Sequence, residues 1–198
     1  KAIISYNAFY GDTALSTVRF SSNVTEIGYS AFEGCSALTE LTLPSELEYI
    51  GYRAFKGTGI TTLTIPKTVS RTSTAGSSPY DGPLAGMSSL KTLKFEEGMT
   101  TVPEHIASSV SATASYITDV TIPDSVTKIA QSAFANCGRL KNVRMSESLN
   151  IVDSSAFNGC ISLESMTFGK YLTNIGSYAF TGCTKLNTIT FTDYTPED

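Results

Sequence analysis

The chain contains no tryptophan and a single histidine, His105. A Ser–His–Asp arrangement would have to use that one residue, and a lone histidine is more often structural or solvated than catalytic. Interface hot spots favour tryptophan, tyrosine and arginine, so strong contacts fall to the 10 tyrosines and to arginine. Charge is scarce too. Only 16% of residues are Asp, Glu, Lys or Arg, and the formal net charge is -4. That balance provides no clustered basic footprint, which excludes nucleic acid as an expected partner. No apolar run reaches the roughly 18 residues that a membrane-spanning helix needs. Glycine-rich phosphate loops and calcium loops are absent. No cofactor or metal is expected, and no enzymatic activity.

What is present is one phrase said eight times, Ile-Gly-x-x-Ala-Phe-x-Gly-Cys-x-x-Leu-x-x-Leu-x-Leu-Pro. Its copies start at Ile4, Ile27, Ile50, Thr72, Val102, Ile129, Val152 and Ile175. The gaps between starts are 23, 23, 22, 30, 27, 23 and 23 residues. A fixed period of this length is the signature of a solenoid. Such stacks work through exposed surface more than through a catalytic cleft. Residues 1–198 therefore read as one solenoid domain. Because the pattern is already under way at Lys1, the chain reads as a fragment of a longer one.

Leu38, Leu41 and Leu43 illustrate one half of the repeat. Alternating apolar and polar residues predict a strand with one buried face. The same triplet recurs in all eight copies, predicting one parallel strand per repeat. Successive strands would stack about 4.8 Å apart into one sheet of eight. The other half, Ile27 to Cys35, places Ile27, Ala31 and Phe32 on one side of a helical turn. It is too short for a stable helix alone, so a single α or 3₁₀ turn is expected, ended by Gly34. Phe9, Phe32, Phe55, Phe134, Phe157 and Phe180 then form a buried column, with Leu84 and Ala107 taking the place in the fourth and fifth copies.

Two gaps are long, and the surplus residues lie between Thr72 and Pro83 and between His105 and Ile117. Both insertions fall in the turn half. They read first as tolerated surface loops, and second as part of a binding face, since insertions in repeat proteins often map to one; Tyr80 and Tyr116 are their only aromatic anchors. Cys35, Cys137, Cys160 and Cys183 share one repeat position. That spacing makes a column and not a metal cluster. Parallel side chains also suit disulfide torsions badly, so the four read as small buried hydrophobes.

Surface candidates remain. The outward strand face is a threonine ladder carrying Arg19, Glu40, Lys94 and Arg144 among its charges. It reads first as a solvated face, and second as a docking surface. Tyr6, Tyr29 and Tyr52 each follow a repeat start by two residues in consecutive copies. Such a row suits contact with a protein or glycan, and equally suits shielding the rim of the stack.

The Ala-Phe-x-Gly-Cys core followed by Leu-x-Leu-Pro resembles the BspA-like leucine-rich repeat family, over essentially the whole chain. The resemblance implies a right-handed βα superhelix of class α/β. It implies cell-surface or secreted proteins of host-associated anaerobic bacteria, and adhesion to host proteins, matrix or other cells. The expected product is a monomeric extracellular or cell-surface module that binds a protein or glycan. The alternative is a structural spacer displaying a neighbouring domain. Fold alone does not decide between them.

Overall fold

Left-handed residues punctuate the turn half of every regular repeat, and they decide what that half becomes. The computed structural model describes residues 1–74 and 81–192. Tyr80 therefore lies outside the described residues. In the second copy Ser30 has φ 50° and Gly34 φ 82°. The first of these positions is non-glycine in seven copies, where Asn7, Ser30, Arg53, His105, Ser132, Ser155 and Tyr178 all have positive φ; the fourth copy has Gly82 there. An α or 3₁₀ turn needs φ near -60°, so two left-handed residues this close forbid one. Among the described residues there is no helix. The expectation of a βα repeat with helical turns is thus corrected to a parallel β-solenoid linked by tight turns.

The described residues contain 14 strands. In chain order they are β1 (Ala2–Ile4), β2 (Val24–Ile27), β3 (Tyr49–Ile50), β4 (Thr62–Ile65), β5 (Arg71–Thr72), β6 (Thr92–Phe95), β7 (Thr101–Val102), β8 (Asp119–Thr121), β9 (Lys128–Ile129), β10 (Asn142–Arg144), β11 (Ile151–Val152), β12 (Ser165–Phe168), β13 (Asn174–Ile175) and β14 (Thr188–Phe191). They form two columns, where the alternation predicted one. One column lies at the repeat starts and makes two sheets, β1-β2-β3-β5 and β7-β9-β11-β13. The other is the predicted Leu-x-Leu column, and it is broken as well, into β4-β6-β8-β10 and β12-β14. The first two copies carry no strand at residues 15–20 or 38–43. One sheet of eight is therefore corrected to sheets of four and two on this face.

A third set of backbone bonds runs through the turns. Ser30, Phe32 and Gly34 donate their N–H groups to the carbonyls of Tyr52, Ala54 and Lys56 in the next coil, at 3.1, 2.8 and 2.7 Å. Equivalent bonds leave Asn7, Phe9 and Gly11, and later Ser155, Phe157 and Gly159. The residues between them close short turns inside the coil, such as Ala31 N–H to the Gly28 carbonyl at 3.3 Å. Each such bond contributes a net ~0.5–1.5 kcal/mol.

Inside this ladder the phenylalanines stack. Phe32 lies 5.2 Å from Phe9 and 5.9 Å from Phe55, ring centre to ring centre. Phe157 lies 5.2 Å from Phe134 and 5.3 Å from Phe180. Leu84 and Ala107 separate the two stacks, and Phe95 compensates: from β6 it meets Phe134 edge-on at 6.2 Å, reaching past the coil that carries the small Ala107. Phe32, Phe55, Phe134 and Phe157 are fully buried, but Phe9 is 40% exposed and Phe180 half-buried. The column is therefore core in its middle and surface at its first member.

All four cysteines are free. They are more than fillers. Each thiol donates to a carbonyl of the preceding coil: Cys35 to Phe9, Cys137 to Ala107, Cys160 to Phe134 and Cys183 to Phe157, at 3.1 to 3.3 Å. Burial pushes the Cys137 thiol up to about 12 and raises Cys160 as well.

Replacing Phe134 by Ala is expected to cost about 3–5 kcal/mol in thermal or urea unfolding. Phe180→Ala should cost clearly less, because its ring packs on one side only; equal losses would count against the stack. Cys137 makes a pH prediction. Its folded-state value lies above that of the unfolded thiol, so its contribution is complete below about pH 8.5 and is lost as pH climbs toward 12. Melting temperature should therefore fall less steeply above pH 9 in Cys137→Thr than in the natural chain.

Candidate functional site

Close packing of the repeat starts positions the tyrosine row. A Cβ on Gly28 would sit 2.6 Å from the Tyr6 backbone nitrogen, and one on Gly51 only 2.3 Å from that of Tyr29. Glycine is needed at both positions for this approach, whatever its backbone angles. With the coils that close, the rings stack face to face. Tyr6 and Tyr29 are 4.8 Å apart at 9°, Tyr29 and Tyr52 5.0 Å apart at 1°. The Tyr29 hydroxyl is held above its ordinary pKa by desolvation and by its two tyrosine neighbours. Stacked rings show a partner their edges and hydroxyls. Tyr6, 60% exposed at the start of the row, has an outer ring face to offer. The row thus resembles a rail of hydroxyls more than a platform for stacking sugars. At its far end Ser73 takes over, accepting from the Tyr52 N–H at 3.0 Å and from the Tyr49 hydroxyl at 2.9 Å.

The remaining predicted surface residues lie on the strand face, in the other half of the coil. On β4 and β6 exposed Thr62, Thr64 and Lys94 alternate with buried Leu63 and Leu93. Arg19 and Glu40 line one cleft between the first two coils, near 880 Å³. A second, near 410 Å³, lies between residues 41–45 and β4. Arg144 lines a third, near 550 Å³, between β10 and β12. Its guanidinium is anchored at 2.8 Å to the Asp124 carboxylate and at 3.0 Å to the Ile122 carbonyl. The Arg144 contact holds the Asp124 carboxyl below its usual range. The structure brings Arg19 and Glu40 together in one cleft. Lys94 and Arg144 stand apart along the face, and the tyrosine row sits elsewhere.

Sequence reasoning missed two features. Tyr116 is sandwiched by cations from neighbouring coils, with Arg139 4.1 Å and Lys91 5.2 Å from its ring centre. The signal was available, since Tyr116 and Arg139 occupy equivalent repeat positions. The second is buried Asp81. Its carboxylate accepts from Arg53 Nε at 2.8 Å and from the Val110 N–H at 3.0 Å, tying the two long copies together. Nothing in the repeat pattern marks it.

His105 has a backbone role. It fills the left-handed position with φ 53°, a region that histidine tolerates better than most side chains. Its ring nitrogen lies 3.3 Å from the hydroxyl of fully buried Ser108, and burial lowers its pKa. Among the described residues no group of three His, Cys, Asp or Glu side chains could hold a metal.

Repeat, parallel ladders and turn core together define a leucine-rich repeat solenoid. The family model for the BspA type leucine rich repeat region matches residues 2–113 and 104–196, in 6 copies. The chain belongs to that family. Proteins built from leucine-rich repeats are in general protein-interaction modules. Among solved structures, a leucine-rich repeat protein from Bacteroides ovatus is 24% identical with a TM-score of 0.61, covering 94% of this chain and 51% of its own. One from Eubacterium ventriosum is 24% identical with a TM-score of 0.61, covering 89% and 43%. The T. pallidum leucine rich repeat protein is 26% identical with a TM-score of 0.56, covering 93% and 71%. The chain thus spans about half the length of the first two. No curated protein matches.

Gly51→Ala tests the geometry of the row. The added methyl meets backbone, so the coils must part, and the expected cost is about 1–3 kcal/mol. A reduced near-ultraviolet tyrosine signal should accompany the loss. An unchanged spectrum and melting point would show that coil spacing does not set the stack.

Proposed function

We propose that this chain is a cell-surface or secreted adhesion module that binds an extracellular protein or glycan without chemistry. One observation carries the reading: three clefts open on the strand face, while the turn half is closed by its own hydrogen bonds. Side chains facing outward there are ones the core does not use. Arg19, Glu40, Lys94 and Arg144 supply charge of both signs to that face, and Tyr6, Tyr29 and Tyr52 supply hydroxyls on the other half. Ring faces inside the row are engaged with one another, which leaves only its end rings to cover a pyranose and favours a protein partner. Family membership supports placement outside the cell. No helix among the described residues is long and apolar enough to cross a membrane.

A spacer role is the second reading. It is favoured by the turn ladder, which among the described residues ties each coil to the next and would stiffen a rod.

Immobilised extracellular-matrix proteins, mucins and glycans provide the test, probed with the natural chain and with Tyr6, Tyr29 and Tyr52 changed together to Ser. A saturable hit that the triple variant loses places the contact on the row. A hit lost instead on changing Arg19, Glu40, Lys94 and Arg144 places it on the strand face. Absence of any hit favours the spacer.

A further inference from the structure

The first cleft is lined by polar groups that no described residue uses. It opens between residues 16–20 of the first coil and 39–43 of the second, at about 880 Å³, within the ~300–1,000 Å³ usual for ligand clefts. Neither segment forms a strand, and among the described residues neither makes a backbone hydrogen bond. Backbone N–H and C=O groups are therefore left to solvent along both walls. The side chains follow suit. Thr17, Arg19, Thr39, Glu40 and Thr42 line the cleft, all are exposed, and none has a hydrogen bond or an ion pair. Arg19 and Glu40 do not meet because they are out of step. Leu15, Val18 and Phe20 answer to Leu38, Leu41 and Leu43 in the next copy. Glu40 thus lies level with Thr17, about 7 Å of extended chain from the level of Arg19. Elsewhere on this face polar side chains engage one another. Arg144 holds Asp124 at 2.8 Å, Asn142 reaches Asp119 at 2.7 Å, and beside β4 Glu96 accepts from the Lys67 N–H at 3.0 Å.

A ligand for this cleft must give and take hydrogen bonds at once. The guanidinium only donates and the carboxylate only accepts, and the backbone walls do both. An anion would gain at Arg19 and lose at Glu40, and a cation the reverse. A zwitterion would satisfy the two charges and leave the walls unused. Sugar hydroxyls each donate and accept, and carry no charge. The floor suits the same ligand. Val18, Phe20 and Leu41 are half-buried against the core and line the cleft, an apolar base for the C–H face of a ring. We infer that this cleft binds a short neutral oligosaccharide. A peptide strand would match the walls but not the outline, because the coils meet on either side of the cleft. Gly11 N–H donates to the Glu33 carbonyl at 2.7 Å, and Glu48 N–H to the Thr25 carbonyl at 2.8 Å. A strand laid along the walls runs into backbone at each end, whereas a few linked rings enter from the open face.

This inference rests on the reading of the chain as a binding module and deepens it. The probes are three neutral sugars, lacto-N-tetraose, mannotetraose and xylotetraose, with sialylated lacto-N-tetraose and a heparin tetrasaccharide as charged counterparts. Calorimetry and saturation-transfer NMR follow the binding. Saturable binding of a neutral probe, with Kd near about 1 mM or below, is the expected result. The charged counterparts should bind no better. Arg19→Ala together with Glu40→Ala should weaken the neutral probe by about tenfold or more, with an unchanged melting temperature, since both side chains are exposed. Failure of all three neutral probes at about 10 mM would overturn the proposal. So would tighter binding of a charged counterpart, displacement of the sugar by millimolar glycine, or a double variant that binds as well as the natural chain. The two readings fail separately: an array hit without binding of any neutral probe sinks the sugar cleft alone, and a bound probe without any array hit sinks adhesion alone.

Discussion

The turn-half backbone ladder is the interaction on which the other contacts depend. Donors from alternate residues in one coil meet carbonyls in the next, coil after coil. This holds the coils at strand spacing in a segment that contains no strand. The spacing sets the ring-to-ring distances of the phenylalanines and tyrosines, and brings each cysteine thiol within reach of a carbonyl one coil back. Left-handed residues at both ends of the segment turn the donors along the stack. The motif's Gly and the non-glycine residue four positions earlier therefore act as one device.

Where the repeat departs from its motif, the contacts are rebuilt locally. Leu84 and Ala107 remove two rings from the column, and Phe95 leans in from the strand side to close the space. The two long copies, whose surplus residues enlarge the turn half, are tied by one buried carboxylate, Asp81, to Arg53 and to the Val110 N–H. Burying a charge is costly unless it is paired and hydrogen-bonded, and this one is both. These repairs let the ladder pass through the irregular middle of the chain.

The strand face is held less tightly. Its ladder exists only from β4 to β10 and from β12 to β14, and clefts open where it fails. Tight closure in one half lets the other half relax without loss of the stack. That division gives the molecule a rigid spine and a face whose side chains and strand edges are open to a partner.

Period, repeat count and the inward phenylalanines were legible in the sequence, because each depends on local apolar spacing. The strand at Leu63 and Ile65 was legible for the same reason, and so was the tyrosine row. The second strand column was not. Two-residue strands such as Tyr49–Ile50 carry no period, and they form only because neighbouring coils lie beside them. Helical turns were expected from the i, i+4 spacing of Ile27 and Ala31, and were excluded by positive φ at Ser30, which serine does not announce. The clefts on the strand face and the face-to-face stacking of the tyrosines were likewise decided in three dimensions. Both turn on the distance between coils, which backbone hydrogen bonds set and no single repeat encodes.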